Sequence, residues 1–82
     1  MTNLIKASVG LNGKNDKNDV CIVQKVLNIY SQDYAMIPCL NVDGVSGKNT
    51  EKAIYAFQKY IAKIWFPDSR VDAGGKTERI MS

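Results

Sequence analysis

Two helix-periodic apolar stretches, and a short third one, alternate along the chain with stretches that have no apolar period. At 100° per residue, the apolar positions within residues 19–31 fall on one side of a helix and the polar ones on the other. A second stripe runs through residues 48–65 and a third through 75–81. The pattern predicts three helices, the first of them N-capped by Asn18 or Asp19.

These stripes predict the core. The first helix should bury Val20, Val23, Val26, Leu27 and Tyr30, with Ile22 and Ile29 widening the face. The second should bury Ala53, Ile54, Phe57, Tyr60, Ile61, Ile64 and Trp65. In the third helix, Ile80 and Met81 should face inward.

The connecting segments are rich in turn-forming residues. Residues 1–18 are predicted to be an N-terminal loop, and Pro38 and Pro67 block helix continuation in the later connectors. The only extended pairing we expect joins residues 39–42 to 70–72. The fold class is therefore all-α, a single three-helix domain over residues 1–82.

Composition narrows the function classes. The net charge of +3 is spread among eight acids without a basic block, which argues against nucleic-acid binding. No run of apolar residues is long enough for a membrane span, and the first residues lack the apolar run of a signal peptide. We therefore expect neither a membrane span nor a signal peptide.

The chain offers little for catalysis or metal binding. It has no histidine, and two cysteines alone cannot complete a zinc site. The acids lie in turns or at helix starts, where carboxylates usually act as caps. We predict a protein that is not an enzyme and uses no metal or cofactor.

Two glycine motifs fail a spacing test. The "GGKT" of residues 74–77 resembles the end of a phosphate-binding loop, but Arg70 occupies the position of its first glycine. The "LNVDG" of residues 40–44 resembles a calcium loop, but that register puts Cys39 and Thr50 at the end ligand positions. Neither nucleotide nor calcium binding is expected.

Cys21 and Cys39 leave two alternatives open. Residues 32–39 are enough extended chain to retrace the helix back to Cys21, so a disulfide is geometrically possible. Two free thiols are the other possibility.

Three segments resemble one family in register: "DVCIVQKVLN", "VDGVSGKNTEKAIYAFQ" and "GGKTERI", which together span residues 19–80. They are similar to the peptidoglycan-binding domain family of small three-helix modules. The flanks "SVGLNGKN" and "PDSRVDAGGKT" resemble a subgroup that we associate with contractile secretion and phage-like systems.

The resemblance implies a function. It implies non-catalytic binding of bacterial cell-wall peptidoglycan, by its stem peptide or glycan, which targets or tethers a lytic or secreted activity. Such a domain would act in the periplasm or at the wall, reached by signal-independent export or with a partner such as a hydrolase or secretion-system protein. The alternative is a protein-binding adaptor or immunity-type protein that uses the same fold.

The candidate residues form two groups. An architectural role is expected for Val20, Gln24, Leu27, Gly44, Gly47, Thr50, Ala53, Phe57 and Gln58. Within that group, the two glutamines lie at the margins of their stripes and should hydrogen-bond loop backbone. Ligand contacts are expected for Asp43, Ser46, Lys48, Asn49, Tyr55 and Arg70. Aromatic faces for a sugar ring are also offered by Tyr30, Tyr34 and Trp65, although Tyr30 and Trp65 lie on apolar stripes and are expected in the core.

The chain departs from the family pattern where a ligand platform is expected. Ser46 stands where the pattern has an aromatic residue, and Asn12, Ser69 and Ala73 replace a glycine or a proline in the flanks. The loss of the aromatic leaves two interpretations, a weakened wall site or a surface reassigned to a protein.

Overall fold

The computed structural model describes residues 3–82, and its regular structure is mostly helical, with three helices. In chain order the elements are β1 (Val9–Gly10), α1 (Lys17–Ser31), α2 (Lys48–Ala56), β2 (Arg70–Val71) and α3 (Lys76–Met81). A π-helical turn, Phe57–Ile61, continues α2 directly. Across residues 3–82, no helix has both the length and the apolar character that a membrane crossing requires.

Helix α1 begins two residues before the predicted start. Its N-cap is Asp16, whose carboxylate accepts a hydrogen bond from the backbone N–H of Asn18 at 3.1 Å. The predicted N-cap at Asn18 or Asp19 is therefore wrong. Asp19 instead accepts hydrogen bonds from the backbone of the N-terminal segment, which is distant in sequence.

Two buried carboxylates hold the N-terminal segment. Asp19 accepts from the backbone N–H of Lys6 with one oxygen and from that of Ala7 with the other, each at 3.1 Å. Glu78 of α3 accepts from the backbone N–H groups of Leu4 and Ile5. Because these N–H groups belong to a segment without helical or sheet partners, the two carboxylates replace the bonds that regular structure would supply.

A short antiparallel ladder joins the N-terminal segment to the last connector. Val9 pairs with Val71 and Gly10 with Arg70, so the predicted pairing of residues 39–42 with 70–72 is wrong. Gly10 has φ +114°, and a Cβ at this position would lie 2.2 Å from the carbonyl oxygen of Ser69. Only glycine allows this approach.

The core lies between α1, α2 and the ladder. The predicted core positions Val20, Leu27, Ala53 and Phe57 are buried. The Phe57 ring meets the half-buried Tyr30 ring edge to face, with centroids 4.9 Å apart. The remaining buried apolar residues are Ile5, Val9, Val23, Ile37, Leu40, Ile54, Ala56, Ala62, Val71 and Met81.

The predicted apolar faces fail at three helix ends. Trp65 is 91% exposed rather than buried, and Ile29, Tyr60 and Ile80 are also exposed. The helical segment that was predicted to reach residue 65 ends at Ile61. A π turn contains more residues than an α turn, so the 3.6-residue period no longer predicts which positions face the core.

Asp19→Asn tests the buried carboxylate. The asparagine would present an NH₂ group to one of the two backbone N–H groups, so we expect a loss of about 2 kcal/mol in unfolding free energy. Urea unfolding followed by circular dichroism measures it. Asp16→Asn is the matched control, since it removes one charge from the same helix start but keeps a good N-cap. Equal losses in the two variants would contradict the assignment.

Candidate functional site

The amide of Gln24 organises the loop that precedes α2. Its Oε1 accepts from the backbone N–H groups of Asp43 and Gly44 at 3.1 and 3.0 Å. Its Nε2 lies 3.0 Å from Asp43 Oδ1, 3.1 Å from the Val45 carbonyl and 3.2 Å from Thr50 Oγ1. A buried side chain on α1 thus ties the whole turn to the first turn of α2, and its bonds to the loop backbone are those predicted for Gln24.

Asp43 completes this clamp from the loop side. Its Oδ1 accepts from Gln24 and from the backbone N–H of Val45, at 2.9 Å, and these two bonds lower the pKa of Asp43 below its ordinary value of 3.8. A lowered pKa in the folded state stabilises the fold above that ordinary value, and the contribution is lost as the pH falls through the folded pKa. Asp43 is therefore a carboxylate at neutral pH.

Gly44 donates its backbone N–H to the clamp and packs against α1. It has φ +76°, and a Cβ there would lie 2.5 Å from Cγ of Lys17 and 3.2 Å from Sγ of Cys21. The backbone conformation therefore favours glycine, and any other residue would also have to displace the Lys17 side chain. The architectural role predicted for Gly44 has this physical basis.

Gln58 repeats the arrangement one helix later. Its Nε2 lies 2.8 Å from Asp68 Oδ1, 2.9 Å from the Arg70 carbonyl and 3.2 Å from Thr77 Oγ1, and its Oε1 accepts from the backbone N–H of Ser69. The elements that follow open alike, with "GKNTEK" from residue 47 and "GKTER" from residue 75. The chain thus contains two glutamine clamps of one design.

Beside the first clamp lies an open hollow of about 280 Å³, here called the loop hollow. One wall is the extended segment 39–41, which the side chain of Asn28 holds by bonds to the backbone N–H and carbonyl of Leu40, at 2.7 and 2.8 Å. The other wall is the start of α2. The lining residues are Gln24, Cys39, Leu40, Asn41, Asp43, Val45, Gly47, Lys48, Asn49 and Thr50.

The α2 side of the loop hollow presents hydrogen-bond donors. Helix α2 begins after Gly47, which has no side chain to cap it. Among the bonds of residues 3–82, none accepts from the backbone N–H groups of Lys48, Asn49 or Thr50. The Lys48 and Asn49 side chains are exposed at the same place. Carboxylate and carbonyl oxygens are the complementary groups.

A second, shallower hollow of about 470 Å³, here called the helix hollow, follows the exposed side of α2. Lys48, Glu51, Lys52, Tyr55 and Ser69 line it, so Lys48 borders both hollows. Tyr55 is 42% exposed. The two hollows therefore meet at the start of α2.

The structure brings some of the predicted ligand residues together and separates others. Asp43, Lys48 and Asn49 line the loop hollow, and Tyr55 lines the helix hollow. Ser46 and Arg70 line neither. Arg70 lies on β2, where its Nε is 2.9 Å from Asp72 Oδ1 as an ion pair, without the alignment of a hydrogen bond.

Sequence reasoning missed the wall formed by residues 39–41. The available signal was Asn28, the last residue of the "DVCIVQKVLN" segment, which lies among the polar positions of the predicted first helix. An asparagine that follows an apolar stripe can hold an extended segment by its backbone, as Asn28 holds Leu40.

The two cysteines are free thiols. Cys21 lies beside Gly44, whereas Cys39 precedes Leu40, which is bonded to Asn28. Asn28 lies two turns along α1 from Cys21, a rise of about 10 Å, and a disulfide needs Cα atoms within about 7 Å. This separation along α1 disfavours the Cys21–Cys39 disulfide that the sequence left open.

The comparison with protein families decides the classification. A family model described as "Putative peptidoglycan binding domain" matches residues 16–60. This match covers more than half of the chain. The chain belongs to the peptidoglycan-binding domain family.

The family match contains the first clamp and the whole loop hollow of this peptidoglycan-binding domain. The second clamp begins inside the match, at Gln58, and its loop lies beyond it. No curated protein and no solved structure gives a significant match to the chain.

Gln24→Glu tests the first clamp of the domain. The carboxylate can still accept from the loop backbone, but it loses all donation and faces Asp43 Oδ1, so we expect a loss of about 3 kcal/mol in unfolding free energy at neutral pH. The loss should shrink toward a pH of about 4, where one of the facing carboxyls gains a proton. Denaturant unfolding at both pH values measures it.

Gln32→Glu is the matched control, because it makes the same chemical change at an exposed position just after α1. A Gln24→Glu loss no larger than that of Gln32→Glu would show that the clamp is not what holds the loop.

Proposed function

We propose that this domain binds bacterial cell-wall peptidoglycan without cleaving it, and thereby holds an associated lytic or secreted activity at the wall. The observation that carries the proposal is the family match over residues 16–60, which includes every residue that lines the loop hollow. In this proposal the domain acts in the periplasm or at the wall.

The chemistry of the loop hollow supports a peptide ligand. The free N–H groups at the start of α2, with Lys48 and Asn49, complement the carboxylates and carbonyls of a stem peptide. Asp43 is exposed, and its Oδ2 has no hydrogen bond within residues 3–82, so it offers an acceptor to an amide or ammonium group. The site therefore offers both the hydrogen-bond donors and the acceptor that a peptide ligand requires.

The helix hollow supports a contact with the glycan. Tyr55 presents a half-exposed ring there, and aromatic faces pack well against the apolar faces of sugars. Because Lys48 borders both hollows, one ligand can extend across the start of α2. Arg70 lines neither hollow and is left out of the proposed site.

The hydrogen bonds of the carboxylates support a non-catalytic role. Asp19 and Glu78 are buried and bonded to the N-terminal backbone, and Asp43 and Asp68 belong to the two clamps. Paired acids with opposed environments, as glycoside hydrolysis requires, are not assembled at the loop hollow, whose only acidic lining residue is Asp43. A shallow site of this kind suits binding, with a Kd of about tens of micromolar or weaker.

Ser46 favours the alternative function, a protein-binding adaptor or immunity-type protein. The resemblance places an aromatic residue at this position, and Ser46 lines neither hollow. Its Oγ is buried without a hydrogen-bond partner within the described residues. A buried Ser46 hydroxyl does not contact a ligand at the wall site. The replacement of the aromatic residue by Ser46 is therefore the change that would accompany a change of ligand.

Co-sedimentation with purified sacculi tests the proposal. We expect the wild-type domain to pellet, and Lys48→Ala with Asn49→Ala to weaken binding about tenfold, because the substitutions remove two donors at the loop hollow. Lys76→Ala alone is the control, because the next residue, Thr77, belongs to the second clamp and is left unchanged. Lys76 occupies the same first position of α3 that Lys48 occupies in α2, but it lines neither hollow.

A domain that does not pellet at any salt concentration, while a partner protein co-purifies with it, would contradict wall binding and favour the adaptor. Equal weakening by the Lys48 and Lys76 variants would reduce the binding to net charge and contradict the assignment of the loop hollow.

A further inference from the structure

Two consecutive aromatic side chains that line neither hollow are almost fully exposed. Trp65 is 91% exposed and Phe66 is 87% exposed, more than any other large apolar residue among residues 3–82. Single exposed apolar residues are common, but two adjacent aromatics at this exposure are unusual for a protein surface.

The aromatic pair is held outward by the backbone. Lys63 adopts φ +57° after the π turn, and the Ile64 N–H then donates to the Gln58 carbonyl at 2.8 Å. On the other side of the pair, the Gln58 amide bonds to Asp68 and Ser69. Both ends of the segment 65–67 are therefore fixed to one residue, and Pro67 restricts it further.

The segment that carries the pair is cationic. Residues 52–67 contain Lys52, Lys59 and Lys63 and no acid. Lys59 and Lys63 are exposed, and the Lys59 ammonium lies 5.3 Å from the centroid of the half-exposed Tyr60 ring. The next acid along the chain is Asp68, whose Oδ1 already accepts from Gln58 and from the backbone N–H of Arg70.

We propose that this aromatic tip, defined as Lys59, Tyr60, Lys63, Trp65 and Phe66, binds the surface of an anionic phospholipid bilayer. Tryptophan and tyrosine favour the headgroup region because their rings are apolar with one polar edge, and lysines are attracted to anionic headgroups. The combination of inserted aromatics and cations is the two-part signal that stable peripheral binding needs.

The exposure of the tip favours a bilayer over a compact ligand. None of its five residues lines the loop hollow or the helix hollow, and its Trp65 and Phe66 rings are almost fully exposed. An exposed pair of rings can enter a soft interface without a matching pocket, and the charge of the surrounding lysines complements that of the lipid. The contact would lie on the membrane surface, and it adds to peptidoglycan binding without depending on it.

Intrinsic fluorescence provides a direct test, because Trp65 is the only tryptophan in the chain. The intact chain is titrated with vesicles of phosphatidylcholine containing about a third of phosphatidylglycerol, and separately with pure phosphatidylcholine vesicles. We expect a blue shift and co-sedimentation with the anionic vesicles, at least fivefold weaker with the neutral ones.

Two sets of variants separate the parts of the tip. Phe66→Ser keeps the fluorescent reporter and should weaken vesicle binding about tenfold, whereas Lys59→Gln with Lys63→Gln should abolish the preference for anionic vesicles. Ile29→Ser is the matched control, because Ile29 is 63% exposed on α1, outside the tip. Its vesicle binding should equal that of the wild type.

Unchanged Trp65 emission with anionic vesicles would overturn the proposal. So would equal binding of the wild type and Phe66→Ser, or equal binding to the two vesicle compositions. A partner protein that is lost on Phe66→Ser while vesicles have no effect would assign the tip to a protein interface instead.

Discussion

The structure depends on one repeated interaction, a buried glutamine amide that holds the loop ahead of the following helix. A buried amide that lost its partners would cost about 1–3 kcal/mol. Burial of Gln24 and Gln58 therefore favours the one conformation of each loop that supplies those partners. Each amide contacts an aspartate, a loop carbonyl and a threonine hydroxyl. Long loops therefore behave as ordered parts of the fold, and the first of them shapes the loop hollow.

Much of this arrangement follows from local sequence patterns. The apolar stripes predict the buried positions of α1 and the first part of α2, and a glutamine at the margin of a stripe predicts a bond to loop backbone, as found for Gln24 and Gln58. Gly44 in the turn before α2 follows from backbone conformation, since its φ of +76° favours glycine. These features depend on residues that are near in sequence or on one helix face.

The features that were not predictable depend on contacts between distant segments. Asp19 was assigned to an N-cap because no local pattern shows that the backbone of Lys6 and Ala7 lies against it. The ladder of Val9 with Val71 is too short to leave an alternating pattern. Trp65 was placed in the core because a π turn has no recognisable sequence signature, although that turn decides where the aromatic tip projects. Of the two walls of the loop hollow, the sequence predicted only the one at the start of α2. The other wall, residues 39–41, is held by Asn28.

In this account, the clamp fixes the loop hollow, and the free donors at the start of α2 meet the wall peptide there. An NMR titration of the ¹⁵N-labelled domain with soluble muropeptides tests that claim most directly. We predict that the largest amide shifts fall on Lys48, Asn49 and Thr50 and on residues 39–45, with little change at residues 63–67. Shifts that are absent at saturating muropeptide, or that centre away from the loop hollow, would contradict it.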